Sequence, residues 1–585
     1  MIEILIQGIR SVCSVISLLL ILMLCNTNSF AESSFTQETM KLRLTDGVHL
    51  GTDIFLPATG KNFPAILIRT PYGKFQKIEF AEFWARHGYA VVLQDTRGKW
   101  TSEGHYIPFK NEEKDGLETL DWIVQQKWSN GKVGMFGSSY LSFCALTLAA
   151  AKHPALKSIF NISGWLKGGK INTPGGAVHL MLALPWILHE ETLKRRSLND
   201  YELEDLFYHL PLKNVFASIG VESKLWSEPE IIMELNKHLS AADIDVPIFH
   251  ITGWNDFVYA SALDIYTTVR DHSQKPQKLM IGPWFHDQYY SDYTGAGDED
   301  FGEASKMGAD KLQDLSLRWF DYTLKGIENG ITREPVAEVF IMGKNKWQTF
   351  QQWPPAEIAF QKWYLSSESG ANSLNGDGRL LPDPTARDAM DSIIFDPENP
   401  VPTNGGANFH FLLDIVGVKD QRDIEEREDV LVYTSAPLPG TIEIAGPLKV
   451  VFYAATEGPD TDFTAKFVEV RENGYARIIE EGIIRARHRN SLDSEEMLEP
   501  GKVYQFTIDL GATAIAIKKN HRLRVEISSS NFPKYDRNPN TGVFPFEATE
   551  LKPVRQQVYH GKSFPSHILL PVINKSLSLI EDEGD

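Results

Sequence analysis

The 585-residue sequence has few cysteines, no excess of basic residues and no metal-binding histidine pattern. Two of its three cysteines lie within the first 31 residues, which leaves no basis for a disulfide framework or a thiolate metal cluster in the rest of the chain. The formal net charge of −19 disfavours nucleic acid and anionic membrane surfaces as partners. No HExxH or paired-ligand spacing occurs among the histidines, so neither a metal nor another cofactor is predicted.

The sequence contains one long apolar run, and it lies at the N-terminus. Arg10 precedes the almost wholly apolar residues 12–25, and Ser29 and Ala31 then offer small side chains at the −3 and −1 positions of a cleavage site. This pattern is typical of a secretory signal peptide, here residues 1–31. The run is shorter than the roughly 20 residues of a spanning helix. We therefore predict a secreted or periplasmic protein without stable membrane insertion.

The cysteine positions bear on lipid anchoring and on the core. Lipid attachment at Cys25 is disfavoured because the bulky Leu24 stands where a lipoprotein signal has a small side chain. Removal of residues 1–31 would take Cys13 and Cys25 away and leave Cys144 as the single thiol. Cys144 lies in an apolar stretch of helical pattern, so we expect it to pack in a hydrophobic core.

The central part of the chain alternates between short apolar runs and stretches of helical spacing. The runs are residues 63–68, 90–93, 133–136, 248–251 and 279–281. Such alternation predicts an α/β domain with a largely parallel sheet, here residues 36–165 and 245–335. Residues 166–244 interrupt the alternation and predict a helical cap over the strand ends, where such sheets bind ligands.

The C-terminal part of the chain, residues 336–580, has a different texture. Its strand-like segments are residues 336–342, 431–434, 448–454, 462–471, 505–509 and 523–529. Glycine, proline and aspartate turns separate them, which predicts a β-sandwich with jelly-roll arrangement of the galactose-binding-like kind.

The stretch GMFGSSYLSF, residues 134–143, runs from an apolar strand into an apolar helix. A strand, a sharp turn and a helix are the setting of a nucleophile elbow, whose neighbours must be small. Gly137 provides the small residue two places before Ser139, whereas Ser138 would have a phenylalanine there and Ser142 falls inside the helix. Ser139 is therefore the candidate nucleophile, although the motif alone would favour a helix-capping serine.

Two later strands provide the other members of a catalytic triad. In α/β-hydrolase order the acid and then the histidine follow the serine, and the turns after these strands offer Asp256 and His286. Asp256 would orient the imidazole of His286, which would take the proton of Ser139. His250 precedes the acid within a strand and is interpreted as a core histidine, and Asp95 precedes the serine and is excluded.

An acyl-transfer site also needs donors for the oxyanion and walls for the acyl group. The backbone N–H of Tyr140, directly after the serine, is one candidate donor. Tyr72, in the loop after an early strand, is a second candidate through its hydroxyl, although its position fits a packing role equally well. Trp165, Trp186 and Phe257 are candidate walls of the acyl pocket, and each also fits a core role.

Motifs along most of the chain resemble those of the CocE/NonD hydrolases, a group that includes cocaine esterase, α-amino-acid ester hydrolases, glutaryl acylases and X-Pro dipeptidyl-peptidases. The resemblance runs from about residue 40 to 575. The motifs are PY at 71–72, DTRG at 95–98, SEG at 102–104, DW at 121–122, QKWSNG at 126–131, GSSY at 137–140, GWND at 253–256, GPWFH at 282–286, DTDF at 460–463 and SSSNFP at 528–533.

This resemblance implies an α/β-hydrolase domain, a helical cap and a C-terminal jelly roll, in agreement with the three textures of the chain. It places the nucleophile at Ser139, the acid at Asp256 and the base at His286, and it assigns the Tyr72 hydroxyl to the oxyanion hole. The chain departs from the family pattern at Ser142, where a glycine is common. We expect this small change to be tolerated.

A second departure concerns the substrate. Family members that act on α-amino esters place acidic residues just after the catalytic acid, whereas here Phe257, Val258 and Tyr259 follow it. This favours a neutral or aromatic acyl group, unless Glu190 or Glu191 of the cap replaces the missing acids.

The main functional prediction is an exported serine hydrolase that cleaves small-molecule esters or amides through an acyl-enzyme. The alternative within enzymes is an X-Pro dipeptidyl-peptidase. A third hypothesis is a non-catalytic protein whose jelly roll binds carbohydrate, against which the complete triad argues. The oligomeric state stays open, with a homo-oligomer among the options.

Overall fold

The computed structural model describes residues 34–167, 169–192, 201–227, 238–409 and 415–574. The predicted signal peptide, residues 1–31 with Cys25, lies outside the described residues. Within them, no helix combines the length and the apolar character that crossing a bilayer requires. Cys144 is buried in a hydrophobic cluster, which confirms its predicted core position.

A ten-stranded sheet forms the first half of the fold, with a separate two-stranded ribbon made by β9 and β10. Its strands run in the order β1-β2-β4-β3-β5-β6-β7-β8-β11-β12. Pairing is parallel from β4 through β11 and antiparallel at both edges. The strands are β1 (Phe35–Arg43), β2 (His49–Pro57), β3 (Phe63–Thr70), β4 (Ala90–Asp95), β5 (Ser129–Ser138), β6 (Leu156–Ile162), β7 (Ile248–Gly253), β8 (Gln277–Gly282), β9 (Gly295–Ala296), β10 (Glu299–Asp300), β11 (Ala337–Ile341) and β12 (Lys346–Phe350).

Eleven α-helices accompany the strands in the described residues. They are α1 (Ile78–Arg86), α2 (Glu112–Val124), α3 (Tyr140–Ala150), α4 (Gly169–Asn172), α5 (Leu180–Thr192), α6 (Leu203–Tyr208), α7 (Val215–Ser218), α8 (Lys224–Ser227), α9 (Tyr259–His272), α10 (Gly308–Phe320) and α11 (Arg422–Glu425). Helix α3 is apolar on all sides and is buried from its first residue to its tenth. A helix of this composition must be covered all round, and this places the start of α3 deep in the molecule.

The structure differs from the sequence prediction at two strands of this sheet. Strand β6 was not predicted, because Lys157, Ser158 and Asn161 interrupt its apolar run. Strand β11 was assigned to the C-terminal domain, but it pairs in parallel with β8, and the sheet continues to β12, beyond the predicted boundary at residue 335. The composition of a short apolar strand does not indicate which of two sheets it joins.

The second half of the fold is a β domain in which most neighbouring strands are antiparallel. Its strand order is β15-β22-β17-β23-β13-β14-β16-β21-β18-β19, with β20 beside β17. Five of the six predicted segments match β16, β17, β18, β20 and β21, two of them running one residue past the strand end. The predicted combination of an α/β sheet and a C-terminal β domain is therefore confirmed. The strands are β13 (Ile358–Ser366), β14 (Arg379–Leu381), β15 (Ala389–Phe395), β16 (Leu431–Thr434), β17 (Ile442–Thr456), β18 (Asp462–Val470), β19 (Ala476–Arg485), β20 (Tyr504–Ile517), β21 (Arg522–Ser528), β22 (Val554–His560) and β23 (His567–Ile573).

The described part of the cap region contacts the β domain directly. The backbone N–H of Val178 donates to Asp536 Oδ1 at 2.7 Å, and the same oxygen accepts from Arg485 at 2.8 Å. At the adjoining turn, a Cβ on Gly175 would lie 1.9 Å from the carbonyl oxygen of Ile483. Only glycine allows this approach. Gly176 and Val178, from the segment predicted as a cap, line one cavity together with Arg485 of the β domain.

Candidate active site

Ser139 lies at the sharp turn between β5 and α3. Its φ of 53° and ψ of −119° are strained for a residue with a side chain. A Cβ on Gly137 would come within 2.4–2.5 Å of backbone atoms of Leu141 and Ser142, so glycine is required there, as the sequence pattern indicated. Ser139 occupies the N-cap position of α3, yet its side chain makes no capping hydrogen bond within the described helix. The helix-capping interpretation therefore does not apply.

Ser142, the departure from the family pattern, has a buried hydroxyl at the base of this turn. Its Oγ lies 2.6 Å from the carbonyl oxygen of Gly137 and 2.9 Å from that of Ile162. The single proton of the hydroxyl bonds one of these oxygens at a time. The serine therefore links the turn to the end of β6, a contact that a glycine side chain does not provide.

Asp256 and His286 follow the ends of the neighbouring strands β7 and β8. The Nδ1 atom of His286 lies 2.9 Å from Asp256 Oδ1, and the backbone N–H of Val258 donates to the same oxygen at 2.9 Å. Both side chains are buried. Parallel strands end at one edge of a sheet, and this is why two residues thirty positions apart meet there.

Two residues that the sequence reasoning missed hold the second oxygen of Asp256. Ser163 Oγ donates to Oδ2 at 2.5 Å, and the Tyr289 hydroxyl donates to the same atom. Ser163 follows β6, the strand that was not predicted, so no signal pointed to it. Tyr289 stands three residues after His286, and this proximity was the available clue.

The pKa values of Asp256 and His286 both favour the charged form of the side chain. Burial alone would raise the pKa of Asp256, but the His286 charge and the hydrogen bonds to Oδ2 outweigh it and lower the pKa. Burial alone would lower the pKa of His286, but the charges of Asp256 and Asp287 outweigh it and raise the pKa. The site therefore stabilises an imidazolium, the form that His286 takes after accepting a proton.

A cavity of about 800 Å³ brings the other predicted site residues together. Asp256 lies behind His286 rather than in the wall. The lining includes Tyr72, Ser139, Tyr140, Trp165, Trp186, Phe257 and His286.

The Tyr72 hydroxyl is arranged as a hydrogen-bond donor. Trp186 Nε1–H donates to the Tyr72 oxygen at 3.3 Å, which leaves the Tyr72 proton available for another acceptor. Burial, followed by the charge of Glu190, raises the pKa of Tyr72 far above its ordinary value, so the hydroxyl stays protonated. Tyr140 is the first residue of α3, where backbone N–H groups have no acceptor within the helix.

Aromatic rings form the buried end of the cavity. Phe109 lies with its ring centroid 4.8 Å from that of Trp165 and is stacked on Trp186 at 5.6 Å. The Phe257 ring lies 4.6 Å from the His286 ring. No sequence signal pointed to Phe109, which stands in the loop before α2.

The two acidic residues that the sequence offered as partners for a substrate ammonium group, Glu190 and Glu191, have partners within the protein. Buried Glu190 forms an ion pair with Lys99, and Glu191 accepts a hydrogen bond from Ser223 Oγ at 2.9 Å. Among the described residues, the acids that do line the cavity are Asp287 and Glu495.

His250 and Asp95, which the sequence analysis excluded from the triad, make contacts that stabilise the fold. His250 is buried, with its Nδ1 atom 3.2 Å from Asn161 Nδ2 and its Nε2 atom 3.2 Å from Gln277 Oε1. Burial lowers the pKa of His250 to about 4. Asp95 accepts from the Lys74 N–H at 2.8 Å and from Thr101 Oγ1 at 2.6 Å. Both belong to the framework of the sheet and of the loops after it.

Two family sequence models match the chain in succession. The model described as X-Pro dipeptidyl-peptidase (S15 family) matches residues 46–288. The model described as X-Pro dipeptidyl-peptidase C-terminal non-catalytic domain matches residues 329–569.

Known proteins of similar sequence and structure extend over almost the whole chain. Cocaine esterase from Rhodococcus sp. (strain MB1 Bresler) is 32% identical, and the alignment covers 91% of this chain and 97% of that protein. The crystal structure of an aminopeptidase from a marine sediment Thaumarchaeota archaeon has a TM-score of 0.81 at 25% identity, with 92% of this chain and 97% of that one covered. The structure of an α-amino acid ester hydrolase has a TM-score of 0.76 at 24% identity, with 93% of this chain and 97% of that one covered. At this identity the likeness supports the fold and not the activity.

Proposed function

Because the chain belongs to the CocE/NonD family of serine hydrolases, we propose that it cleaves ester or amide bonds through an acyl-enzyme formed on Ser139. The observation that carries this proposal is one cavity lined by Ser139, Tyr72 and His286, with Asp256 directly behind the imidazole. Because the chain belongs to an enzyme family, the hypothesis of a non-catalytic carbohydrate-binding protein is disfavoured.

In the acylation step, Ser139 Oγ attacks the carbonyl carbon of the substrate while His286 Nε2 takes the hydroxyl proton. Asp256 holds the Nδ1–H and stabilises the imidazolium. The negative charge that develops on the carbonyl oxygen is stabilised by the Tyr72 hydroxyl and the Tyr140 N–H. The imidazolium then gives its proton to the departing alkoxide or amine, and the acyl group stays on the serine.

In the deacylation step, His286 takes a proton from water, whose oxygen attacks the acyl carbon. The same donors stabilise the second oxyanion, and its collapse releases the carboxylic acid and returns the proton to Ser139.

The aromatic rings at the buried end of the cavity support the proposal that the acyl group is neutral or aromatic. Phe109, Trp165 and Trp186 offer flat apolar walls, and Glu190 is already neutralised by Lys99.

Replacing Ser139 with alanine tests the role of the nucleophile. We expect kcat for an aryl ester to fall by about 10⁶, and labelling by a fluorophosphonate to disappear. Ser138→Ala, which changes the neighbouring hydroxyl, is the matched control and should still be labelled. Retention of most activity in the Ser139 variant would contradict the assignment.

An X-Pro dipeptidyl-peptidase is the second candidate function, because the family model of that name matches residues 46–288. Asp287 lines the cavity beside His286 and offers a carboxylate for a peptide ammonium group. A comparison of Gly-Pro anilide with a nitrophenyl ester separates the two. Efficient cleavage of the anilide alone would favour the peptidase.

The N-terminal pattern supports the further proposal that the enzyme is exported after cleavage following Ala31, with residues 166–244 as the cap of the mature enzyme. N-terminal sequencing of protein recovered from the secreted or periplasmic fraction tests the export, and an intact N-terminus would contradict it.

A further inference from the structure

The cavity has a closed end and an open end of different construction. Phe109, Trp165 and Leu182 are buried at the closed end. Two other apolar residues of the lining, Trp100 and Leu492, are 51% and 50% exposed.

The cavity lining contains three exposed apolar side chains, which we call the rim: Trp100, Leu492 and Phe544. Phe544 is 42% exposed. Trp100 lies in the loop after β4, Leu492 in the loop after β19, and Phe544 in the loop after β21. Single exposed apolar residues are ordinary on a protein surface, but a group that converges on one opening marks a binding surface.

Further apolar groups extend the rim outward. The ring of Phe75, which is also exposed, meets that of Trp100 edge to face with 5.1 Å between centroids. Val543 adjoins Phe544 and is likewise exposed. The surface outside the cavity therefore continues the apolar character of its opening.

Three charged side chains of the cavity lining, Glu495, Lys77 and Arg485, have partners within the protein. Glu495 pairs with Arg487 at 3.3 Å, and Lys77 Nζ lies 4.2 Å from the centroid of the Tyr290 ring. Arg485 is held by Asp462, with two nitrogen–oxygen distances of 2.9 Å. Chemically, this end suits an uncharged apolar group better than an ion.

The order of product release decides which half of an ester meets the rim. In an acyl-enzyme mechanism the alcohol leaves first, while the acyl group stays bonded to Ser139. An alcohol at the closed end would be trapped behind the acyl group, so it must occupy the open end. We propose that the rim is a leaving-group subsite for extended apolar alcohols, such as unbranched alkyl alcohols. This inference rests on the proposed acyl-enzyme at Ser139.

Benzoate esters of methanol, butanol and hexanol, each below its solubility limit, test the proposal. In the wild-type enzyme, kcat/KM should rise by about twofold per added methylene, because a half-buried methylene gains about half of the full transfer free energy. When deacylation is rate-limiting, kcat should be the same for all three esters, since they share one benzoyl-enzyme. The double variant Leu492→Ser/Phe544→Ser should abolish the rise, so that the ratio of kcat/KM for the hexyl ester to that for the methyl ester falls to about one.

The control variant is Phe360→Ser, which removes an apolar side chain of similar exposure, 52%, outside the cavity. It should keep the wild-type dependence on alcohol length. An unchanged hexyl-to-methyl ratio in the double variant would overturn the proposal, as would an equal loss for all three esters. A gain that appears only above the solubility limit would instead show docking on aggregated substrate and would also overturn it.

The proposed function fails separately, through a different readout. If the wild type hydrolyses none of the esters and a fluorophosphonate does not label Ser139, then the acyl-enzyme itself is refuted, and the leaving-group subsite with it. If labelling occurs and the rim variants behave like the wild type, only the subsite is refuted.

Discussion

Replacing Asp256 with asparagine would remove one charge from a fully buried site with almost no change in shape. Oδ1 accepts from His286 and from the backbone N–H of Val258, whereas Oδ2 accepts the hydroxyls of Ser163 and Tyr289. The backbone N–H can only donate, but a hydroxyl donates or accepts. The asparagine oxygen should therefore stay toward Val258 and His286, with the amide nitrogen toward the hydroxyls.

This orientation keeps Nδ1–H as the donor of His286 and Nε2 as the basic nitrogen. The loss of activity should then come from the missing charge rather than from a wrong tautomer. Two unit charges about 4 Å apart attract by about 4 kcal/mol at an effective dielectric constant of about 20. We therefore expect kcat/KM to fall by about 10³, less than the roughly 10⁴ seen when the tautomer is also lost.

The pH dependence of kcat/KM for an aryl ester distinguishes the two cases. In the wild type, burial lowers the pKa of His286 but the carboxylate charges raise it by more. Without the Asp256 charge, burial gains weight and the pKa falls. Since His286 acts as a base after losing its proton, the acidic limb of the profile should move to lower pH.

The control for this variant is Asp95→Asn, which changes another buried carboxylate outside the cavity lining. It should leave the position of the acidic limb unchanged. An acidic limb of Asp256→Asn that stays in place or moves to higher pH would refute the reasoning. So would activity that is recovered only in proportion to hydroxide concentration, because that would indicate the wrong tautomer.

Two other substitutions test the oxyanion donor and the base of the turn. Tyr72→Phe should lower kcat by about 10²–10³ with little change in KM, because the hydroxyl acts on charge that develops in the transition state; an effect confined to KM would contradict this. Ser142→Gly should lower the free energy of unfolding, measured by chemical denaturation, by about 1–3 kcal/mol from the lost hydrogen bond, with a smaller further loss from the lower helix propensity of glycine. The control Ser142→Ala keeps the helix propensity and should lose only the hydrogen-bond part, so a fully stable alanine variant would refute the role of the hydroxyl.

The sharp turn at Ser139 was predictable because its requirements are local. The apolar strand, the small residue at Gly137 and the apolar helix after Ser139 are neighbours in sequence, and the crowding of Gly137 against Leu141 and Ser142 arises within six residues. The proposed acid and base were chosen for a related reason, since each follows a recognisable strand and the α/β-hydrolase order of the triad is known.

The supporting contacts of the site were not predictable in this way. Ser163 reaches Asp256 because β6 lies between β5 and β7, and Trp186 reaches Tyr72 across 114 positions. Residues with no shared local pattern meet there because the sheet and the cap have brought their backbones together. The carboxylate of Asp256 and the hydroxyl of Tyr72 are thus held by partners that only the folded chain reveals.

The sequence by itself determined the fold class, the position of the turn at Ser139 and the order of the residues proposed for the triad, because each depends on short-range sterics and apolar periodicity. Tertiary structure alone decided that β11 joins β8 rather than the C-terminal domain, and that loops after β4, β19 and β21 contribute side chains to the lining of one cavity. Strand pairing and loop convergence depend on which distant surfaces exclude water together, and no local pattern encodes that choice.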